Sequence, residues 1–169
     1  MVLNIVNQLK FTRFEFKKGF SDVSEEDANR RFLPINTIGW IVGHLAWHEQ
    51  FYWLKRAQDK VLIPELIDLV GYGKPASTPS LVKMIDYWEQ ITRASDSYLD
   101  QLTESDLLIH LEVKGKNLNF NVGTMITRVI YHYWYHNGEL QAQRQLLGHK
   151  NLPDAVSDEI ETIGKYYLD

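Results

Sequence analysis

Cysteine is absent from the 169 residues. That removes disulfides, thiolate nucleophiles, zinc knuckles and cysteine-ligated iron–sulfur clusters, so any metal must be held by histidine, carboxylates or backbone. No stretch approaches the ~20 apolar residues of a membrane span. Met1 to Lys18 carries charges where a secretory leader would carry an apolar run, so a cytoplasmic protein is expected. Lys and Arg number 18 against 22 Asp and Glu, a net charge of -4, and no basic cluster is interleaved with aromatics; nucleic acid is not the expected partner. Several catalytic signatures are missing as well. There is no Gly-x-Ser-x-Gly and no P-loop. No Glu-x-x-His occurs, which removes the di-iron carboxylate bundle. His48-Glu49 opens like a zincin motif, but Tyr52 stands where the second histidine belongs.

What remains is a chain 44% hydrophobic and 24% charged, the size and composition of one domain, residues 1–169. Four long segments have helical periodicity. The first runs from Val2 to Lys17 with Ile5, Leu9, Thr12 and Phe16 on one face, and Gly19 is expected to stop it. The second runs from Asn36 to Arg56, capped by Asn36 or Thr37, and is apolar around most of its circumference, so it is expected to be buried on several sides. The third runs from Pro79 to Gln101, with Thr78 as cap and Pro79 in the first helical position. The fourth runs from Val122 to Leu147, with Asn121 as cap and Gly148 just past its end. Leu108 to Val122 alternates around a Gly-containing turn and predicts a short hairpin; a short helix is expected near Ala155 to Tyr166. Four long helices with little strand predict an all-α four-helix bundle.

The fourth helix carries the chemistry. Met125, Val129, His132, His136, Leu140 and Gln143 form its expected core stripe, with two histidines at the centre. Residues four apart are about one turn apart, so both imidazoles leave one face. Each brings two polar nitrogens into a core and each nitrogen needs a partner, which a divalent cation can supply on both rings at once. His44 and His48, again four apart, face inward on the second helix and offer a third imidazole. Periodicity leaves the choice between them open, and an ordinary hydrogen-bonded histidine pair is the alternative to a metal. A haem between His132 and His136 is excluded because neighbours on one helix cannot take opposite faces of a porphyrin; His44 opposite either one stays open. Glu139, one turn from His136, is a candidate general base, an acceptor behind a ligand histidine, or half of a salt bridge. His110 and His149 read as surface residues. Trp40, Trp47, Phe51, Tyr131, Trp134 and Tyr135 read as core and interface packing rather than a ligand cage.

Two segments carry a family resemblance. Ile38-Gly39-Trp40-Ile41-Val42-Gly43-His44-Leu45-Ala46-Trp47 resembles the second-helix motif of the DinB-like, DNA-damage-inducible superfamily. Tyr131-His132-Tyr133-Trp134-Tyr135-His136-Asn137-Gly138-Glu139, followed by Arg144 to His149, is similar to that family's fourth-helix motif. The resemblance implies an up-down-down-up four-helix bundle with a three-histidine site for zinc, nickel or a related divalent ion. Position by position, His44 takes the first ligand place and His132 and His136 the others, and His48 becomes a neighbour or a substitute. It further implies a homodimer acting on a small molecule. Characterised relatives include thiol-dependent enzymes, such as mycothiol-dependent maleylpyruvate isomerase and bacillithiol S-transferases, and metal-dependent hydrolases. The expected function is therefore a divalent-metal-dependent enzyme, a thiol S-transferase or a hydrolase, with a low-molecular-weight thiol as a candidate cosubstrate. The alternative is a non-catalytic module that binds or senses a metal or small ligand.

Overall fold

The structure, a computed structural model, describes residues 2–166. Its long helices are α1 (Asn4–Phe20), α3 (Ile38–Glu49), α5 (Leu81–Leu99) and α6 (Val122–Leu146), with short helices α2 (Glu25–Asn29) and α4 (Leu66–Val70) in the connections. α1 packs on α6, while α3 packs on α5, α4 and α6. The result is the all-α four-helix bundle expected from the periodicity. Among the described residues no helix is long and apolar enough to cross a membrane.

Local chemistry places the helix starts. Thr37 and Asn121 each accept a hydrogen bond from the backbone N–H three residues on, of Trp40 and Thr124, and so cap α3 and α6. α5 departs from expectation. Its cap is Ser80, whose hydroxyl accepts from Lys83 N, and the Glu25 carboxylate of α2 accepts from Leu81 N and Val82 N. Pro79 therefore lies outside the helix. The deciding partner comes from another element, which no local spacing reveals.

Gly19 does not stop α1; the helix runs through it to Phe20. A Cβ at Gly19 would lie 2.9 Å from Asn137 Oδ1 and 3.3 Å from Leu140 Cδ2, so this glycine lets α1 approach α6 closely. Its carbonyl accepts from Arg144 Nη1 at 2.6 Å. Gly39 serves the same end between α3 and α5, where a Cβ would meet the Pro79 carbonyl oxygen at 2.4 Å. Phe16, Phe20, Trp88 and Tyr133 meet edge to face between α1, α5 and α6, and Trp88 Nε1 donates to Tyr133 Oη at 2.7 Å.

The second long segment is not one regular helix. Beyond Glu49 it widens to π geometry over Gln50–Arg56. Such widenings occur frequently at functional sites, because they turn the following side chains out of α-helical phase. The Gln50 carboxamide fastens the next loop: Oε1 accepts from Leu62 N and Ile63 N at 2.8 and 2.7 Å, and Nε2 donates to Ile63 O at 2.9 Å.

The hairpin exists but is shorter than Leu108 to Val122. β1 (Glu112–Val113) pairs antiparallel with β2 (Lys116–Asn117) around Lys114 and Gly115, both at positive φ, as a two-residue type I′ turn requires. The expected tail helix is reduced to a single 3₁₀ turn, Asp158–Glu161; the last residues of the chain, 167–169, lie outside the described residues. Gly148 takes φ +82 just beyond α6, as its place predicted.

Candidate metal centre

Three imidazoles from two helices converge. One nitrogen from each of His44, His132 and His136 lies within 4.8 Å of the others. Ring centroids stand 5.2 Å apart for His44 with either partner and 4.6 Å for His132 with His136. The His132 and His136 Nε2 atoms are 3.0 Å apart. Two nitrogens on one ion at about 2.1 Å can be no more than about 4.2 Å apart, so the three are close to ligating distance.

Two of the three outer nitrogens are tied down, and His132 Nδ1 is buried without a partner. His44 Nδ1 sits 2.8 Å from the Val70 carbonyl, and a carbonyl only accepts, so Nδ1 carries the proton and Nε2 presents its lone pair. His136 Nδ1 lies 2.8 Å from Glu139 Oε2, so its Nε2 likewise faces the centre as a donor pair. A carbonyl or carboxylate behind a histidine is the arrangement that fixes tautomer and ring direction in metal sites. Trp40 stacks on His44 at 4.4 Å with 10° between planes and holds that ring from the side. The donor set, three imidazoles with two prearranged, fits a divalent ion that accepts nitrogen ligands.

Burial keeps the His44 and His132 rings neutral, the form a metal needs. It lowers the pKa of His44 to about 4 and that of His132 to about 3, and neighbouring imidazoles lower both further. Burial likewise pushes His48 down to about 2. In an unfolded chain these groups titrate near about 6.5. Between that value and about 4 the unfolded state binds more protons than the folded one, so stability falls as pH falls. The metal-free protein is therefore expected to lose about 1.4 kcal/mol per pH unit for each imidazole that stays neutral in the fold. Denaturant unfolding at pH 7, 6 and 5 measures this, and a midpoint constant from pH 7 to 5 contradicts it.

His48 stands outside the three-nitrogen group, although its ring is 4.1 Å from that of His132. His132 is not at the centre of a buried stripe. Tyr133 is fully buried there, and His132 is half-buried at the edge. α6 turns different faces to different partners: Tyr133, Asn137, Leu140 and Arg144 are buried positions toward α1, while His132 and His136 meet α3. Glu139 lies behind His136, on the nitrogen facing away from His132. His110 is exposed, with Nδ1 donating to the Leu118 carbonyl. His149 is not a plain surface residue: Arg144 Nε donates to its Nδ1 at 3.2 Å, and its Nε2 is 3.3 Å from Asp27 Oδ2.

The histidines open on a cleft of about 710 Å³, lined by His44, His48 and His132 on one side and Trp47, Phe51, Tyr52, Tyr72 and Tyr131 on others. The six aromatics read from the sequence as packing thus divide. Trp47, Phe51 and Tyr131 face the cleft, Trp40 holds His44, Trp134 packs on Phe11, and Tyr135 is exposed. Arg56 and Arg128 complete the lining. Neither was among the residues expected at the site. Arg128 was legible, since it stands four residues before His132; Arg56 was not, since the π segment sets its direction.

A helical bundle with a three-histidine cluster beside a cleft, two of its rings in the lining, defines the class: an all-α protein with a candidate site for a divalent ion. The DinB superfamily model matches residues 8–140, a stretch containing all three histidines, and the chain belongs to the DinB superfamily. Comparison with the curated proteins gives no match.

Proposed function

We propose that this protein is a divalent-metal-dependent enzyme, with His44, His132 and His136 as ligands to zinc or nickel. The observation that carries this is the convergence of three imidazole nitrogens beside an open cleft. A site that serves only as a structural staple closes its coordination with protein ligands, whereas three ligands leave a place for water or substrate. When bound, a divalent ion lowers the pKa of a coordinated water or thiol and so supplies a nucleophile at neutral pH. That chemistry suits a hydrolase, or a transferase acting with a low-molecular-weight thiol; the chain has no thiol of its own. His44 and His136 hold their lone pairs toward the centre through Val70 O and Glu139. Glu139 is a positioning residue in this reading rather than a general base, because its carboxylate is engaged on His136 Nδ1. Trp47, Phe51 and Tyr131 hold the body of the substrate and exclude water.

Protein purified without an affinity tag is expected to carry about one divalent ion per chain, the content of a single three-histidine site. Elemental analysis measures it. Protein with no metal, and no rise in melting temperature on adding zinc or nickel, rules the reading out.

A further inference from the structure

Arg56 and Arg128 are the charged side chains of the cleft, and its lining contains no carboxylate. Elsewhere the buried arginines are matched: Arg13 by Glu49 and Asp96, Arg144 by Asp22 and the Gly19 carbonyl. Arg56 is not. Its guanidinium carbon lies 4.2 Å from the Phe51 ring centroid and 4.8 Å from that of Tyr52. Nη1 is buried and has no hydrogen-bond partner. Stacking on rings satisfies the face of a guanidinium and keeps its edge for hydrogen bonds, in the forked arrangement that fits a carboxylate, and the enclosed Nη1 still lacks an acceptor there. Arg128, exposed and one turn before His132, adds a second positive charge at the cleft. A bound divalent ion would add to the same field.

We propose that the cleft binds a small carboxylate with an aromatic or apolar body. Its carboxylate sits on the in-plane N–H groups of Arg56, and Arg128 adds attraction from the exposed side. The body lies against Trp47, Phe51 and Tyr131, which brings the other end of the molecule toward the histidines. That the histidine end is where reaction occurs rests on the metal reading above; the binding itself does not.

Calorimetric titration of the full chain, zinc-loaded and after chelation, with 3-phenylpropionate, its amide and 3-phenylpropylamine tests this. The carboxylate is expected to bind about tenfold or more tighter than the amide in both forms, the effect of one charge-assisted hydrogen bond, with the amine weakest. Arg56→Gln is expected to bring the carboxylate down to the level of the amide while zinc content per chain stays that of the parent. Arg56→Lys, which keeps the stem and charge but loses the fork, falls between and serves if the glutamine variant does not fold. Equal binding of acid and amide, no binding at millimolar concentration, or a preference untouched by either Arg56 variant overturns the proposal. So does a preference seen only in the zinc-loaded form, which would put the carboxylate on the metal. A chain that takes up no zinc yet prefers the carboxylate through Arg56 defeats the metal reading and leaves this one standing.

Discussion

His136→Ala is expected to weaken zinc or nickel binding by more than about 100-fold. Removing a hydrogen-bonded partner behind a ligand already costs about 10–100-fold, and removing the ligand costs more. In the proposed site His136 would supply one of three nitrogens, and its Nε2 is 3.0 Å from that of His132, so two ligands on one helix would become one. Glu139→Gln should fall in the smaller range, because the amide still accepts from Nδ1 but no longer with a full charge. Competition against a chelator of known affinity ranks the parent, E139Q and H136A. The same variant separates the two functional readings. In an enzyme, H136A loses turnover while keeping a parental melting temperature in the metal-free form. In a staple, H136A loses stability and the parent has no turnover to lose. Parental metal affinity in H136A would falsify the three-histidine site itself.

A second large effect is expected away from the metal. Arg13 of α1 meets Glu49 at the end of α3 through two hydrogen bonds, Nε to Oε1 at 2.7 Å and Nη2 to Oε2 at 2.6 Å. Both side chains are almost completely buried, at 6% and 0% exposure. Burial alone would lower the Arg13 pKa, but the attraction of Glu49 outweighs it and holds the guanidinium above its ordinary range. Glu49→Ala leaves that cation in the core with Asp96, itself 38% exposed, as its remaining anionic partner. Removing one member of a buried pair costs about 3–5 kcal/mol, mostly through the uncompensated charge. Urea unfolding of the metal-free protein should show a loss of that size. The double variant Arg13→Met/Glu49→Leu should recover most of it, since a buried pair replaced by apolar groups of similar volume is often near neutral. A loss under about 1 kcal/mol in Glu49→Ala, the value of an exposed pair, contradicts the account. The pair also has a consequence for the site. Glu49 follows His48 directly, so its bond to α1 helps fix the rotation of α3 that turns His44 toward α6.

Where local chemistry acts alone, the sequence was readable. Thr37 and Asn121 cap the helices they precede, Gly148 takes the left-handed conformation after α6, and the turn before Lys116 is tight around Gly115. Each depends on atoms within a few residues. The misreadings share the opposite cause. Gly19 looked like a stop because glycine ends helices, but close approach to Asn137 and Leu140 needed a residue with no Cβ in mid-helix. Pro79 looked like a first helical residue until Glu25, from another helix, took the N–H groups of Leu81 and Val82. His132 looked central because a single-stripe helix has one buried sector, whereas α6 divides its inward surface among several partners, α1 and α3 among them. Arg56 carried no signal, since a π turn shifts the phase by which direction is judged.

The sequence by itself determined four long helices, most of their caps and the sharing of one face by His132 and His136, because helical period is a property of neighbouring residues. Periodicity left His44 and His48 equivalent and the family resemblance favoured His44; tertiary structure brings His44 within 4.8 Å of the other two, and it alone decided that the Val70 carbonyl sets the direction of the His44 ring and that Arg56 enters the same cleft. Those outcomes depend on how helices rotate and approach one another, and that is settled by side chains far apart in the chain: Gly19 against Asn137, Gly39 against Pro79, and Arg13 against Glu49.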